Sequence, residues 1–164
     1  MTARRALRAA ALLALCCLLA SCVPLTRSAA YALYLTRLSE RCGVDLTSGG
    51  TTLSDKDTHG GFLGDGERLT RIRRDAAFAA AVAESPRWKP LPFGEELADW
   101  TEAGGLGLLP DEWPAEGYYC FDDRQAEAFD PEGERAAFLR PSLNFTLFVY
   151  DTETNVLTVY ALDT

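Results

Sequence analysis

Residues 142–163 read SLNFTLFVYDTETNVLTVYALD, and they decide the fold. SLNFTLFVY (142–150) and VLTVYALD (156–163) are rich in β-branched and aromatic residues, and DTETN (151–155) between them is turn chemistry. Together they predict a β-hairpin. Leu143, Phe145, Leu147 and Val149 alternate onto one face, and Leu157, Val159 and Ala161 are expected to join them. Phe148, Tyr150 and Tyr160 fall on the other face, so that side is expected to be covered too. A sheet buried on both faces needs helices or loops on each side.

Upstream segments supply them. Tyr31, Tyr34, Leu35, Leu38 and Cys42 share one face of a helix expected from a cap at Ser28 to a stop at Gly43. TTLSD after Gly49-Gly50 and ERLTRIR (67–73) read as two strands. Asp75 caps a helix through Ala83 that packs Phe78 and Val82. PRWKPLPF (86–93) is rigid and extended, with Trp88 expected in the core. EELADWTE suggests a helical turn, and GGLGLLPDEWPAEG (104–117) a surface loop or lid. Tyr118–Phe121 reads as an aromatic strand, and the acidic stretch 122–140 as a loop with a helix near Glu134–Leu139. The expected domain, 28–164, is α+β, with a small antiparallel sheet of four to five strands and two to three helices.

The first 21 residues hold three arginines, no acid, and an apolar run from Ala9, the layout of a secretory signal. Leu19-Ala20-Ser21-Cys22 resembles the lipobox of bacterial lipoproteins, in which cleavage exposes the cysteine for acylation. Ala9 to Val23 falls short of the roughly 20 residues that span a bilayer. A lipid-anchored Cys22, a tether over 22–27 and a domain facing outside the cytoplasm are therefore expected. An uncleaved membrane anchor, or plain secretion in which Cys22 is incidental, is the alternative. Without residues 1–21 the chain carries thirteen basic and 24 acidic side chains, a net charge of −11. Residues 90–164 hold three basic and sixteen acidic groups. That balance disfavours nucleic acid and makes a basic protein or small molecule the expected charged partner. Cys42 and Cys120 are expected as buried free thiols.

DKDTHGGFLGDGE (55–67) contains the chain's one histidine. Asp55, Asp57 and Gly60 match positions one, three and six of an EF-hand loop. His59 sits at position five and Gly66 where the bidentate glutamate belongs, with Glu67 one residue late. Zinc would need more histidine or cysteine. Neither a P-loop nor a G-x-S-x-G motif occurs. No metal or cofactor and no catalytic residue is therefore assigned, and the loop is read as a turn fixed by His59 and Asp65. Were it a ligand or partner site, Asp55, Asp57, His59 and Asp65 would form it.

Asp57-Thr58-His59-Gly60-Gly61-Phe62, Gly64-Asp65-Gly66, Trp88-Lys89-Pro90-Leu91-Pro92, Gly117-Tyr118-Tyr119 and Asn144-Phe145-Thr146 resemble a set shared by a family of small bacterial lipoproteins or membrane-anchored proteins. Tyr150-Asp151-Thr152 and Leu162-Asp163-Thr164 belong to the same set. The resemblance implies an address and a fold rather than an activity. Leu63 departs from it, where a second histidine or another polar residue is expected. The functional expectation is a membrane-tethered, non-enzymatic binding module. The alternatives are a hydrolase-like enzyme with His59 as base, oriented by Asp57 or Asp65, and an acidic inhibitor or immunity-type protein.

Overall fold

A computed structural model describes residues 27–60, 64–103, 107–130 and 132–164. The signal, Cys22 and nearly all of the tether lie outside the described residues. The chain divides into two units, Met1–Tyr34 and Leu35–Thr164. Of the first, residues 27–34 are described. They are helical, with the Tyr31 and Tyr34 rings 6.0 Å apart.

Helix α1 is Arg27–Cys42. It begins one residue before Ser28, so Ser28 lies in its first turn rather than capping it. Gly43, at φ 75°, ends it, and the Gly43 N–H donates to the Ser39 carbonyl. Strands β1 (Gly50–Asp57) and β2 (Gly66–Arg74) follow, then α2 (Ala76–Glu84). The strand-then-helix reading holds, because the Asp75 carboxylate accepts from the Phe78 N–H and caps α2. The remaining elements are β3 (Lys89–Pro90), α3 (Glu95–Glu102), β4 (Gly117–Asp123), α4 (Glu134–Phe138), β5 (Asn144–Asp151) and β6 (Val156–Asp163).

Among the described residues the fold is α+β as expected, with six strands and four helices rather than four to five and two to three. The sheet is antiparallel in the order β1-β2-β6-β5-β4-β3. The extra strand is Lys89–Pro90, whose short ladder with Tyr118 and Tyr119 leaves no periodicity in sequence.

The hairpin forms where expected, but its return strand faces the other way. Asp151 pairs with Val156, leaving a four-residue loop that sets odd positions of β5 opposite even positions of β6. Phe145, Leu147 and Val149 therefore share a face with Leu162, Tyr160 and Thr158. Leu157, Val159 and Ala161 lie with Phe148 and Tyr150 on the opposite one. Counting Asp151 into the turn shifts the register by one, and one residue reverses every side chain. Asn155, at φ 56°, closes the loop and accepts from the Tyr150 hydroxyl at 2.8 Å.

Both faces are buried. The first packs Phe145, Tyr160, Tyr119 and Phe121 against Leu97 and Trp100 of α3 and Ala137 and Phe138 of α4. Trp100 meets Phe145 edge-on at 5.1 Å and stacks on Phe138 at 5.7 Å. On the second, Phe78 of α2 packs edge-on to Tyr150 at 5.2 Å and to Trp88 at 6.3 Å. Trp88 is core, as expected, and its indole N–H donates to the Cys42 carbonyl at 2.9 Å.

Cys42 and Cys120 are both buried and unbridged. Burial pushes the Cys42 thiol up to about 12 and raises Cys120 as well. Neither forms thiolate near neutral pH, and the thiolate is the reactive species. The native protein should resist alkylation at pH 8, and both cysteines should be labelled in denaturant without reductant. Labelling that appears only after reduction would show a bridge instead.

Candidate functional site

The loop between β1 and β2 is closed by hydrogen bonds at its neck. Thr58 bridges its neck: the Thr58 N–H donates to the Glu67 carbonyl at 2.8 Å, and the Glu67 N–H donates to Thr58 Oγ1 at 2.9 Å. Gly66, at φ 158°, lets the chain pass so close that an added Cβ would sit 2.6 Å from the His59 Cα. No larger side chain fits there.

His59 is clamped between two carboxylates. Its Nδ1 lies 2.7 Å from Asp57 Oδ1, and its Nε2 lies 2.9 Å from Asp163 Oδ2 at the end of β6. Asp163 Oδ1 in turn meets the Arg124 guanidinium at 2.8 Å. Arg124 also donates to the Leu162 carbonyl at 2.7 Å. The row Asp57–His59–Asp163–Arg124 thus fastens the loop to β6 and to the residue that follows β4. Asp55 and Asp57 face an internal cation: Arg68 grips Asp55 through Nε at 2.9 Å and a terminal nitrogen at 2.7 Å, and lies 3.5 Å from Asp57. A guanidinium takes the place a calcium ion would need. Among the described residues no group of three or more His, Cys, Asp or Glu side chains is placed to hold a metal.

Of the four residues named from the sequence, Asp55, Asp57 and His59 come together. Asp65 does not. It is exposed and bonds to no described residue, so the part expected of it in fixing the turn falls to Asp163 instead. Phe62 and Leu63 lie outside the described residues.

A second feature lies along the sheet. Residues 107–116 form an irregular strap across the first face, anchored at one end by Glu67. This buried carboxylate accepts from the Tyr160 hydroxyl at 2.5 Å and from the Leu108 N–H at 3.1 Å. At the other end Gly117 enters β4 opposite Asp151. Between strap and sheet is a cleft of about 450 Å³, with Leu69, Val149 and Val156 as its floor and Trp113 between two prolines as its wall. The Trp113 ring rests edge-on against Phe93 at 5.5 Å, and its buried indole N–H has no acceptor among the described residues. Arg71, Glu112 and Asp151 lie at the rim. Burial pushes Asp151 upward. Bonds from Thr154 and the Glu153 amide, with the Arg71 charge, outweigh it and hold the carboxyl below its ordinary range.

Comparisons with protein-family models, curated proteins and solved structures return no match to this chain.

The sequence reading missed Glu67 and the cleft. Glu67 sits on the same alternation as Leu69 in β2, so its inward direction was readable, but its partners are 93 and 41 residues away.

His59→Ala should lower stability by about 1–3 kcal/mol, the cost of losing the imidazole's bonds to Asp57 and Asp163. Asp163→Asn should do the same, and the double variant should cost less than the two together, since the pair shares one bond. Calcium or zinc should leave the melting temperature unchanged, because a ligand that does not bind the native state cannot raise it. A calcium-dependent rise that disappears in Asp55→Ala would overturn the structural reading of the loop.

Proposed function

We propose that this chain is a membrane-tethered, extracytoplasmic binding module without catalytic chemistry, holding its ligand in the cleft between the 107–116 strap and the sheet. The cleft carries the reading. Its volume, apolar floor, tryptophan wall and few polar groups at the rim are the ordinary make-up of a ligand site. The address comes from the N-terminal segment, with Cys22 as the acylated residue. Several acyl chains hold a domain on a membrane far more firmly than one. Among the described residues no helix is long and apolar enough to cross a membrane.

The hydrolase-like alternative asks His59 to accept a proton. A neutral imidazole has one free nitrogen to do so, and here both nitrogens face carboxylate oxygens. Both described thiols are buried and held protonated, which removes them as nucleophiles. The inhibitor or immunity reading remains a form of binding module and differs only in its partner.

Two measurements test the proposal. Cys22→Ala should abolish lipid-dependent processing and release the protein from the membrane fraction; unchanged gel mobility and retention would remove the tether. In spectra of the ¹⁵N-labelled protein, small aromatic amines and amides should shift the Trp113 indole signal and leave Trp88, bonded to the Cys42 carbonyl, in place. No movement of Trp113 with any of them would count against the cleft.

A further inference from the structure

The cleft does not stop at the strap. It adjoins a second hollow of about 210 Å³ lined by Pro114, Ala115, Glu116, Asp151 and Glu153, and the two share Pro114 and Asp151. Glu112 on the larger hollow and the three acids of the smaller make four carboxylates along one groove. Among the described residues Arg71 is the one basic residue in its lining. Among the described residues none of those four has a cation within 4.0 Å. By contrast Asp55, Asp122, Asp123, Glu134 and Asp163 are all paired to arginine or lysine. The groove is therefore apolar at one end and carries an excess of negative charge at the other.

We infer that the groove takes a cationic peptide segment: an apolar side chain seated against Trp113, Leu69 and Val149, and a lysine or arginine nearby that reaches Glu112, Asp151, Glu116 or Glu153. This rests on the cleft being the binding site, as proposed above. Successive side chains on one face of an extended chain lie about 6–7 Å apart, so one segment can place two of them in adjoining hollows. A cation there supplies the charge that the four carboxylates lack, whereas an anionic ligand meets repulsion at the same rim. An extended backbone also brings carbonyl oxygens. A small repositioning of Trp113 toward one of them gives its buried N–H the acceptor it lacks.

The test uses the full chain in non-ionic detergent and three labelled peptides, acetyl-Leu-Ser-Lys-Ser-Lys-amide, which sets leucine and lysine on one face of an extended chain, and its counterparts with glutamate or serine in place of lysine, followed by fluorescence anisotropy. The lysine peptide should bind saturably and more tightly as ionic strength falls, and the glutamate peptide should not bind. Trp113→Ala should weaken the lysine peptide by roughly tenfold, about 1.4 kcal/mol. Glu112→Gln with Glu153→Gln, both exposed and remote from the core, should weaken it several-fold without changing the melting temperature. Glu84→Gln on α2 should change nothing. Lysine-peptide binding that ignores both the tryptophan and the glutamate variants would be non-specific and would overturn the inference. Equal, Trp113-dependent binding of the serine peptide would also overturn it while leaving the cleft a binding site. If none of the three binds and the Trp113 indole signal stays still throughout, the inference and the cleft reading fail together.

Discussion

Every element of this fold answers to one constraint: the β5–β6 hairpin is apolar on both faces. Phe145, Leu147, Phe148, Tyr150, Leu157 and Tyr160 are all essentially inaccessible. A two-stranded ribbon cannot bury its own faces. The sheet widens on both sides of the hairpin, and helices close over it from both sides, with α3 and α4 on one face and α2 on the other. The edges of the sheet are polar in consequence. In β1 seven of eight residues are exposed, and a register shift between Thr52 and Ser54 breaks its ladder, which is how edge strands avoid further pairing.

Burying that sheet also buries charges, and each is met close by. Asp122 meets Arg41 at 2.7 Å, Asp123 meets Arg140 at 2.5 Å and Glu134 meets Lys89 at 3.1 Å. Among the described residues Glu67 has no cation to pair with and is held by a hydroxyl and an amide instead. Pairs of this kind contribute little net stability. Breaking one is costly, because the remaining charge stays buried. They fix where α4 and the strap lie on the sheet.

What the sequence disclosed follows the range of the interaction. The hairpin, the Asp75 cap, the Gly43 stop and the buried Trp88 are written in spacing or in neighbouring residue types. The orientation of β6 turned on whether Asp151 belongs to the strand or to the turn, and composition does not separate those cases, because aspartate suits both. In the 55–67 loop the turn chemistry was legible, and so was the part of His59. Its decisive partner was not. Asp163 is 104 residues away, and only the closed sheet puts the end of β6 beside the loop. Asp65 looked equivalent to Asp57 by composition, yet it lies one residue before the Gly66 crossing and points to solvent.

The cleft has the same origin as the core. An eight-residue strand runs about 26 Å, whereas an eight-residue helix runs only about 12 Å. Helices α3 and α4, of eight and five residues, cover the first face where Phe145, Phe121 and Tyr160 lie. They are too short to reach its far end, where Val149 stands opposite Thr158 and Asp151 opposite Val156. A strap with two prolines, Pro110 and Pro114, has no periodic apolar stripe to lay flat there. It covers the floor with one large ring, Trp113, and leaves the cleft beside it. The acids that line that space sit on the strap, at the end of β5 and in the hairpin turn, and neither the strap nor the turn has a basic residue of its own. A groove that is apolar beneath and negative at the rim is thus what remains when short helices and an acidic strap together cover a sheet that must be buried on both faces.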